Sequence, residues 1–211
     1  MLTGMPPTRH VAESDSHAHS PGAARVLVAY ASKYGSTRGV AERIAARLRD
    51  TGNRVDLRSV GQVEDVGVYD AVVFGGAVFN QTWMPEGEEF VRRNLSALAG
   101  VPMWLFSVGT FGDRKRVIGP LMKREPKGIG SLRKAIDPRD YRVFAGVIDR
   151  HQWPLFSRLF YYALGGHLGD NRQWPDIDAW AEGIARALRA LTPAKAASAA
   201  GLPGADRKQT P

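Results

Sequence analysis

Residues 25–37 read Arg-Val-Leu-Val-Ala-Tyr-Ala-Ser-Lys-Tyr-Gly-Ser-Thr, and the fold prediction rests on them. The first part, Val26–Ala31, is a nearly unbroken apolar run, as expected of a parallel strand that is covered on both faces. From Thr37 to Leu48 the apolar residues recur on one face of a helix. A strand, a short polar loop and a helix N-terminus together form an anion site, because exposed backbone N–H groups and the positive end of the helix dipole meet there.

The loop between this strand and this helix is a candidate phosphate site. Gly35 allows the backbone to approach a ligand closely, and Lys33 adds a positive charge. Hydroxyl groups can donate hydrogen bonds to phosphate oxygens without adding charge. The loop supplies them at Ser32, Ser36 and Thr37. The alternative is an ordinary strand-to-helix turn in which Ser36 or Thr37 is the N-cap residue.

The composition bounds the class of protein. A chain of 211 residues with 44% hydrophobic residues predicts one domain with tails. The absence of cysteine excludes disulfides, thiolate catalysis, iron–sulfur clusters and Cys-ligated zinc, and we predict no metal site. No stretch approaches the ~18 apolar residues of a membrane span, and the N-terminus lacks the apolar core of a signal peptide, so we expect a cytoplasmic protein. The net charge of +8 favours an anionic partner.

The two ends of the chain read as tails around one folded unit. Residues 1–24 are rich in His, Ser, Pro and Gly without a period, and we predict a disordered arm, in which the histidines are solvated rather than bound to metal. Residues 192–211 are rich in Ala, Gly, Pro and Lys and are predicted to be a second disordered tail. The folded domain is therefore placed at residues 25–191.

Strands and helices alternate within this domain, which predicts an α/β fold with a parallel sheet and right-handed crossovers. After the first strand and helix, the predicted strands are Arg54–Val60, Asp70–Gly75, Met103–Val108 and Val143–Ile148, and the predicted helices are Glu86–Leu98 and Asp176–Leu191. Ligands of such sheets bind beyond the carboxyl ends of the strands. Two more segments therefore join the phosphate loop in one candidate site.

The segments that follow the third and fourth predicted strands suit a flat heterocyclic ligand. Gly76 permits close approach, Phe79 and Trp83 offer stacking faces, and Asn80 can hydrogen-bond a ring edge. Equally, Phe79 and Trp83 can be core residues. The candidate contacts are Gly76, Ala77, Val78, Phe79, Asn80 and Trp83 after the third strand, and Ser107, Val108, Gly109, Thr110 and Phe111 after the fourth.

The sequence allows two roles for each of two further segments. Residues 113–139 hold most of the excess positive charge, and they are either a solvated crossover or a basic lid for an anionic substrate. Residues 152–164 carry an aromatic stripe at helical spacing, which covers one side of the sheet or meets a planar molecule or a membrane surface.

The phosphate loop resembles that of flavodoxins, Ser/Thr-x-Thr-Gly-x-Thr. Ser32, Gly35, Ser36 and Thr37 match this pattern, while Tyr34 stands where a hydroxyl residue is usual and Lys33 brings a compensating charge. The resemblance implies a flavodoxin-like three-layer sandwich with strand order 2-1-3-4-5. It also implies FMN as the cofactor, with its phosphate wrapped by residues 32–37.

A narrower resemblance, over Arg25–Leu191, is to the flavodoxin branch that includes quinone-dependent protoporphyrinogen IX dehydrogenases. It implies an FMN oxidoreductase of haem biosynthesis at the inner face of a membrane, which takes hydrogen from a flat, anionic porphyrinogen and passes electrons to a quinone. Two alternatives remain: an electron carrier, whose family is usually acidic, and an FMN-free binding protein. We expect no nucleic-acid partner. The motifs that carry this narrower resemblance are residues 30–37, Phe106-Ser-Val, the basic insertion, Gly165-Gly166, Asp170-x-Arg172 and Asp178-x-Trp180.

Overall fold

The computed structural model describes residues 23–79, 82–109, 129–148 and 169–200. No helix in these ranges is both long and apolar enough to cross a bilayer. The strands are β1 Arg25–Ala31, β2 Arg54–Ser59, β3 Ala71–Phe79, β4 Thr82–Trp83, β5 Met103–Gly109, β6 Asp140–Ala145, β7 Val147–Ile148 and β8 Gly169–Asp170. The α-helices are α1 Ser36–Asp50, α2 Pro85–Arg93, α3 Leu95–Ala99, α4 Ile129–Ile136 and α5 Trp174–Ala200.

Five parallel strands form the sheet, in the order β2-β1-β3-β5-β6. Counted among the parallel strands alone, this is the predicted order 2-1-3-4-5, and the prediction of a flavodoxin-like α/β sandwich is confirmed. The short β4 pairs antiparallel with the end of β3. A separate antiparallel ribbon of β7 and β8 follows the fifth parallel strand.

The apolar run of β1 is buried from both sides. Val26 and Val28 belong to a core under α1 and α5, whereas Leu27 and Ala29 belong to a second core under α2, α3 and α4. All four side chains are 0% exposed. Because successive residues of a strand face opposite sides, a strand between two helical layers needs apolar residues throughout.

Several predicted element boundaries differ from the structure. The third parallel strand runs to Phe79 rather than ending at Gly75, because it continues into the hairpin with β4. The fifth runs from Asp140 to Ala145 rather than from Val143 to Ile148, and Val147–Ile148 forms the separate strand β7. The helix predicted over residues 86–98 is interrupted at Asn94, whose backbone N–H and side-chain Nδ2 both donate to the carbonyl of Phe90.

The last helix extends to Ala200, beyond the predicted boundary at Leu191. Pro193 favoured an end to the helix, but five alanines lie among residues 194–200, and alanine has the highest intrinsic helix propensity. Outside the described residues lie the predicted N-terminal arm up to residue 22, residues 113–128 of the basic insertion, the aromatic segment 152–164 and the end of the chain from residue 201.

Candidate functional site

The N-terminus of α1 forms the centre of the candidate site. Gly35 is its N-cap residue and has a φ of 82°, a left-handed conformation that glycine adopts without strain. The backbone N–H of Gly35 donates to Ser32 Oγ over 3.1 Å, which closes the loop on itself. The alternative prediction, in which Ser36 or Thr37 caps the helix, is therefore wrong, because both residues lie inside the helix.

The first turn of α1 presents backbone N–H groups without a side-chain cap. The first helical hydrogen bond runs from the N–H of Gly39 to the carbonyl of Gly35 over 2.9 Å. The N–H groups of residues 36–38 precede it, and the N-cap residue, a glycine, has no side chain to cap them. The first turn also has no acidic residue. This arrangement fits an anion, because the positive end of the helix dipole and several N–H donors converge on one point.

Two loop hydroxyls are oriented by hydrogen bonds that they accept. Ser32 Oγ accepts from Gly35, and Ser36 Oγ accepts from the backbone N–H of Val147 over 2.9 Å. Since a hydroxyl can accept and donate at once, each keeps its O–H for a further acceptor. Thr37 is 1% exposed, so its side chain points into the protein.

The tip of the loop carries a positive charge and an exposed ring. Lys33 Nζ lies 5.3 Å from the centre of the Tyr34 ring, a cation–π distance. Tyr34 is 60% exposed, so much of its ring is open to solvent. Both side chains are therefore available to a ligand or partner at this edge.

The sheet register brings the three predicted segments to the same edge. Ala31, the last residue of β1, is paired with Gly76, and Gly76 is paired with Ser107. Gly109 ends β5 opposite Ala145 of β6. The carboxyl ends of β1, β3 and β5 thus lie side by side next to the N-terminus of α1, as the crevice rule for parallel sheets requires.

Trp83 lies in the core rather than at the surface of the site. Its side chain is 3% exposed, packs edge-on against Phe74 with ring centres 5.2 Å apart, and donates its indole N–H to Ser107 Oγ over 2.8 Å. Ser107 is 0% exposed and also accepts a hydrogen bond from the Tyr141 hydroxyl. Both side chains are therefore internal partners, which favours the core alternative for Trp83, while contact of Ser107 with a cofactor stays a prediction.

The paired glycines of β3 make room for core aromatic rings. A Cβ atom on Gly75 would lie 2.0 Å from the Phe106 ring, and one on Gly76 would lie 2.8 Å from the Trp83 indole. The predicted purpose of these glycines was close approach of a ligand. In the structure, internal packing accounts for both.

The remaining predicted residues divide between the strand ends and the undescribed part of the chain. Val108 is 4% exposed and belongs to the core, while Ala77, Val78 and Gly109 are half-buried at the strand ends. Phe79 ends β3. Asn80, Thr110 and Phe111 lie outside the described residues.

Sequence reasoning missed an arginine–aspartate cluster that attaches α5 to α1. Asp178 receives two hydrogen bonds of 2.6 Å from Arg43 and one of 2.7 Å from Arg47. The hydrogen bonds from Arg47 and Arg43 hold the pKa of Asp178 well below its usual range. The available signal was the helical spacing of the two arginines, which places both on one face of α1.

Comparisons with known proteins agree with this geometry. A family model described as a flavodoxin domain matches residues 27–162. The protoporphyrinogen IX dehydrogenase [quinone] of Escherichia coli K12 is 25% identical over 138 residues, which cover 61% of this chain and 73% of that protein.

Two solved structures show the same fold. A flavodoxin from the domain Archaea superposes with a TM-score of 0.53 at 15% identity, covering 78% of this chain and 99% of that one. The rubredoxin oxygen:oxidoreductase of Desulfovibrio gigas gives a TM-score of 0.52 at 16% identity, covering 79% of this chain and 36% of that one. Because the family model spans more than half of the sequence, and the strand order and helix-terminal loop fit it, this chain belongs to the flavodoxin family.

Proposed function

We propose that this chain is an FMN-dependent oxidoreductase. The observation that carries the proposal is the uncapped first turn of α1, where backbone N–H groups stand beside the hydroxyls of Ser32 and Ser36. This donor set fits a single terminal phosphate. A dinucleotide is less well supported, because the Gly-x-Gly-x-x-Gly fingerprint is absent from the loop.

The neighbouring strand ends would hold the rest of the cofactor. The backbone of residues 76–78 and of Gly109 borders the same edge of the sheet, and Tyr34 offers an exposed ring beside it. When bound, FMN would supply the redox chemistry, accepting electrons from one substrate and passing them to another. Among the described residues of the three predicted segments, Lys33 carries a charge and none is a carboxylate. The protein's own contribution is therefore to position the cofactor and to supply electrostatic stabilisation, rather than acid–base catalysis by a carboxylate.

For the substrate we propose a flat, anionic porphyrinogen, with a quinone as the electron acceptor. Support comes from the name of the Escherichia coli relative and from the charge of +8. A cationic protein raises the local concentration of a carboxylate-bearing substrate, and it is also attracted to an anionic membrane surface, where quinones reside.

The basic insertion would provide the attraction. Within its described part, α4 packs on the sheet through Leu132 and Ile136, while Lys134 is exposed and Arg133 lies over the ring of Tyr141 at 5.4 Å. This part is a crossover helix with a cationic outer face. The proposed substrate contacts fall on residues 113–128, outside the described range.

Two measurements test the proposal. Heat denaturation of the purified full chain should release a ligand with the mass of FMN. Anaerobic protoporphyrinogen should then bleach the visible flavin absorption, and a quinone should restore it. A protein that releases FMN but is bleached only by a reductase, and not by protoporphyrinogen, would instead be an electron carrier. A colourless protein that does not bind added FMN would contradict the proposal as a whole.

A further inference from the structure

The β7–β8 ribbon packs directly against the first turn of α1. The N–H of Val147 donates to Ser36 Oγ over 2.9 Å, and Arg172, just after β8, reaches to within 2.3 Å of where a Cβ on Gly39 would lie. The Arg172 side chain is 18% exposed, and two hydrogen bonds to Asp170 hold its guanidinium in place. The ribbon and Arg172 therefore meet α1 at Ser36 and Gly39, about one turn apart.

Gly146, directly before β7, leaves little space between the ribbon and Ser36. A Cβ atom there would lie 2.8 Å from Ser36 Oγ, 3.0 Å from a methyl group of Val108 and 3.4 Å from the carbonyl of Gly109. The backbone of Gly146 cannot easily withdraw, because its N–H donates to the Gly109 carbonyl over 2.8 Å and its carbonyl accepts from the N–H of Asn171 over 3.2 Å. The φ of Gly146 is not positive, so its backbone conformation is open to alanine. The obstacle to a side chain there is the lack of space for its Cβ atom.

We infer that Gly146 and the N–H of Val147 position the Ser36 hydroxyl for the phosphate of the cofactor. The N–H of Val147 donates to Ser36 Oγ from the side of the ribbon. The O–H of Ser36 is therefore directed away from the ribbon. The missing side chain of Gly146 leaves Ser36 the space to hold this rotamer. This inference rests on the proposed function, and it makes Gly146 a positioning residue that acts through Ser36.

A double-mutant cycle tests the inference. The full-length apoproteins of wild type, Gly146→Ala, Ser36→Ala and the double variant are titrated with FMN and with riboflavin in phosphate-free buffer, and flavin fluorescence and thermal unfolding are recorded. Gly61→Ala is the matched control, since a Cβ atom on Gly61 meets nothing within 4 Å.

Gly146→Ala should lower FMN affinity by about tenfold or more, the loss of one hydrogen bond to a charged group, and change riboflavin affinity by no more than about twofold. In the Ser36→Ala background, Gly146→Ala should change FMN affinity by only about twofold. If Gly146→Ala alone does not fold, the cycle is repeated with Val108→Ala, which removes the other close contact.

Equal losses of FMN and riboflavin affinity, or the same loss with and without the Ser36 hydroxyl, would overturn the inference and leave the proposed function standing. Wild-type protein that binds neither flavin would overturn both.

Discussion

The indole N–H of Trp83 donates to the hydroxyl of Ser107 over 2.8 Å, and both side chains are buried. This bond ties the β3–β4 hairpin to β5 at the edge of the sheet where the candidate site lies. The hydroxyl of Tyr141, on β6, donates to the same oxygen over 2.9 Å. One buried serine thus connects three strands at the border of the site.

Trp83→Phe should destabilise the fold and leave flavin binding largely intact. The change removes a buried hydrogen-bond donor, which costs about 1–3 kcal/mol, while a ring remains to pack against Phe74. The free energy of unfolding is measured in urea, and riboflavin affinity is measured by fluorescence. Unchanged stability together with a strong loss of riboflavin binding would instead favour the stacking role that the sequence left open.

Gly75→Ala should destabilise the protein by about 1–3 kcal/mol or more, because its Cβ would overlap the fully buried ring of Phe106. Phe106→Leu in the same chain should recover part of this loss, so the two substitutions should be non-additive. Thermal and denaturant unfolding of the two single variants and the double variant provide the test. Gly61→Ala serves as a control that should be close to neutral. Strictly additive losses would mean that the ring is not the obstacle.

Asp178→Asn should make the free energy of unfolding less dependent on pH in the acid range. The pKa of Asp178 is depressed in the folded protein by hydrogen bonds from Arg47 and Arg43. The stabilisation is therefore complete above the unfolded-state pKa of about 4 and is lost as the pH falls below it. Wild-type unfolding free energy should decline between about pH 5 and pH 2 more steeply than that of Asp178→Asn.

The control for this comparison is Glu42→Gln, which removes a solvent-exposed ion pair with Arg38. It should leave the acid limb of the stability curve nearly parallel to that of wild type. Parallel curves for Asp178→Asn and wild type would contradict the assignment of the arginine–aspartate cluster.

Exchanging Arg114, Lys115 and Arg116 for Gln should lower kcat/KM for the anionic substrate without changing FMN occupancy. Added salt should slow the wild type more than the variant, since charges beyond about 8 Å are screened at physiological ionic strength. The matched control exchanges three exposed arginines on other elements for Gln and so removes the same number of positive charges; they are Arg58, Arg186 and Arg189. Equal rates and equal salt dependence in all three proteins would exclude a basic lid.

The alternation of strands and helices and the helix-terminal loop could be predicted because they depend on short-range patterns, whereas the strand order came from the resemblance to flavodoxins. The run Val26–Ala31 is apolar on both faces, and Gly35 lies between that strand and an amphipathic helix. The roles of Gly75, Gly76 and Trp83 could not be predicted. Their partners, Phe106 and Ser107, are distant in sequence, and a glycine that admits a core ring looks the same in sequence as one that admits a ligand.

The contact between the ribbon and the phosphate loop was also beyond sequence reasoning. Val147 lies 111 positions after Ser36 in the chain, and it contributes only its backbone N–H, which every residue except proline possesses. Gly146 carries no local signal that distinguishes it from a turn glycine.

We propose that the N-terminus of α1 binds the phosphate of FMN, and a fluorescence titration of the full-length apoprotein with FMN and with riboflavin tests this. The two flavins differ only by the phosphate. FMN should bind at least about 100-fold more tightly, since several hydrogen bonds to a charged group are each worth about 1.5–3 kcal/mol. Equal affinities would show that the loop of residues 32–37 does not hold the phosphate of a flavin.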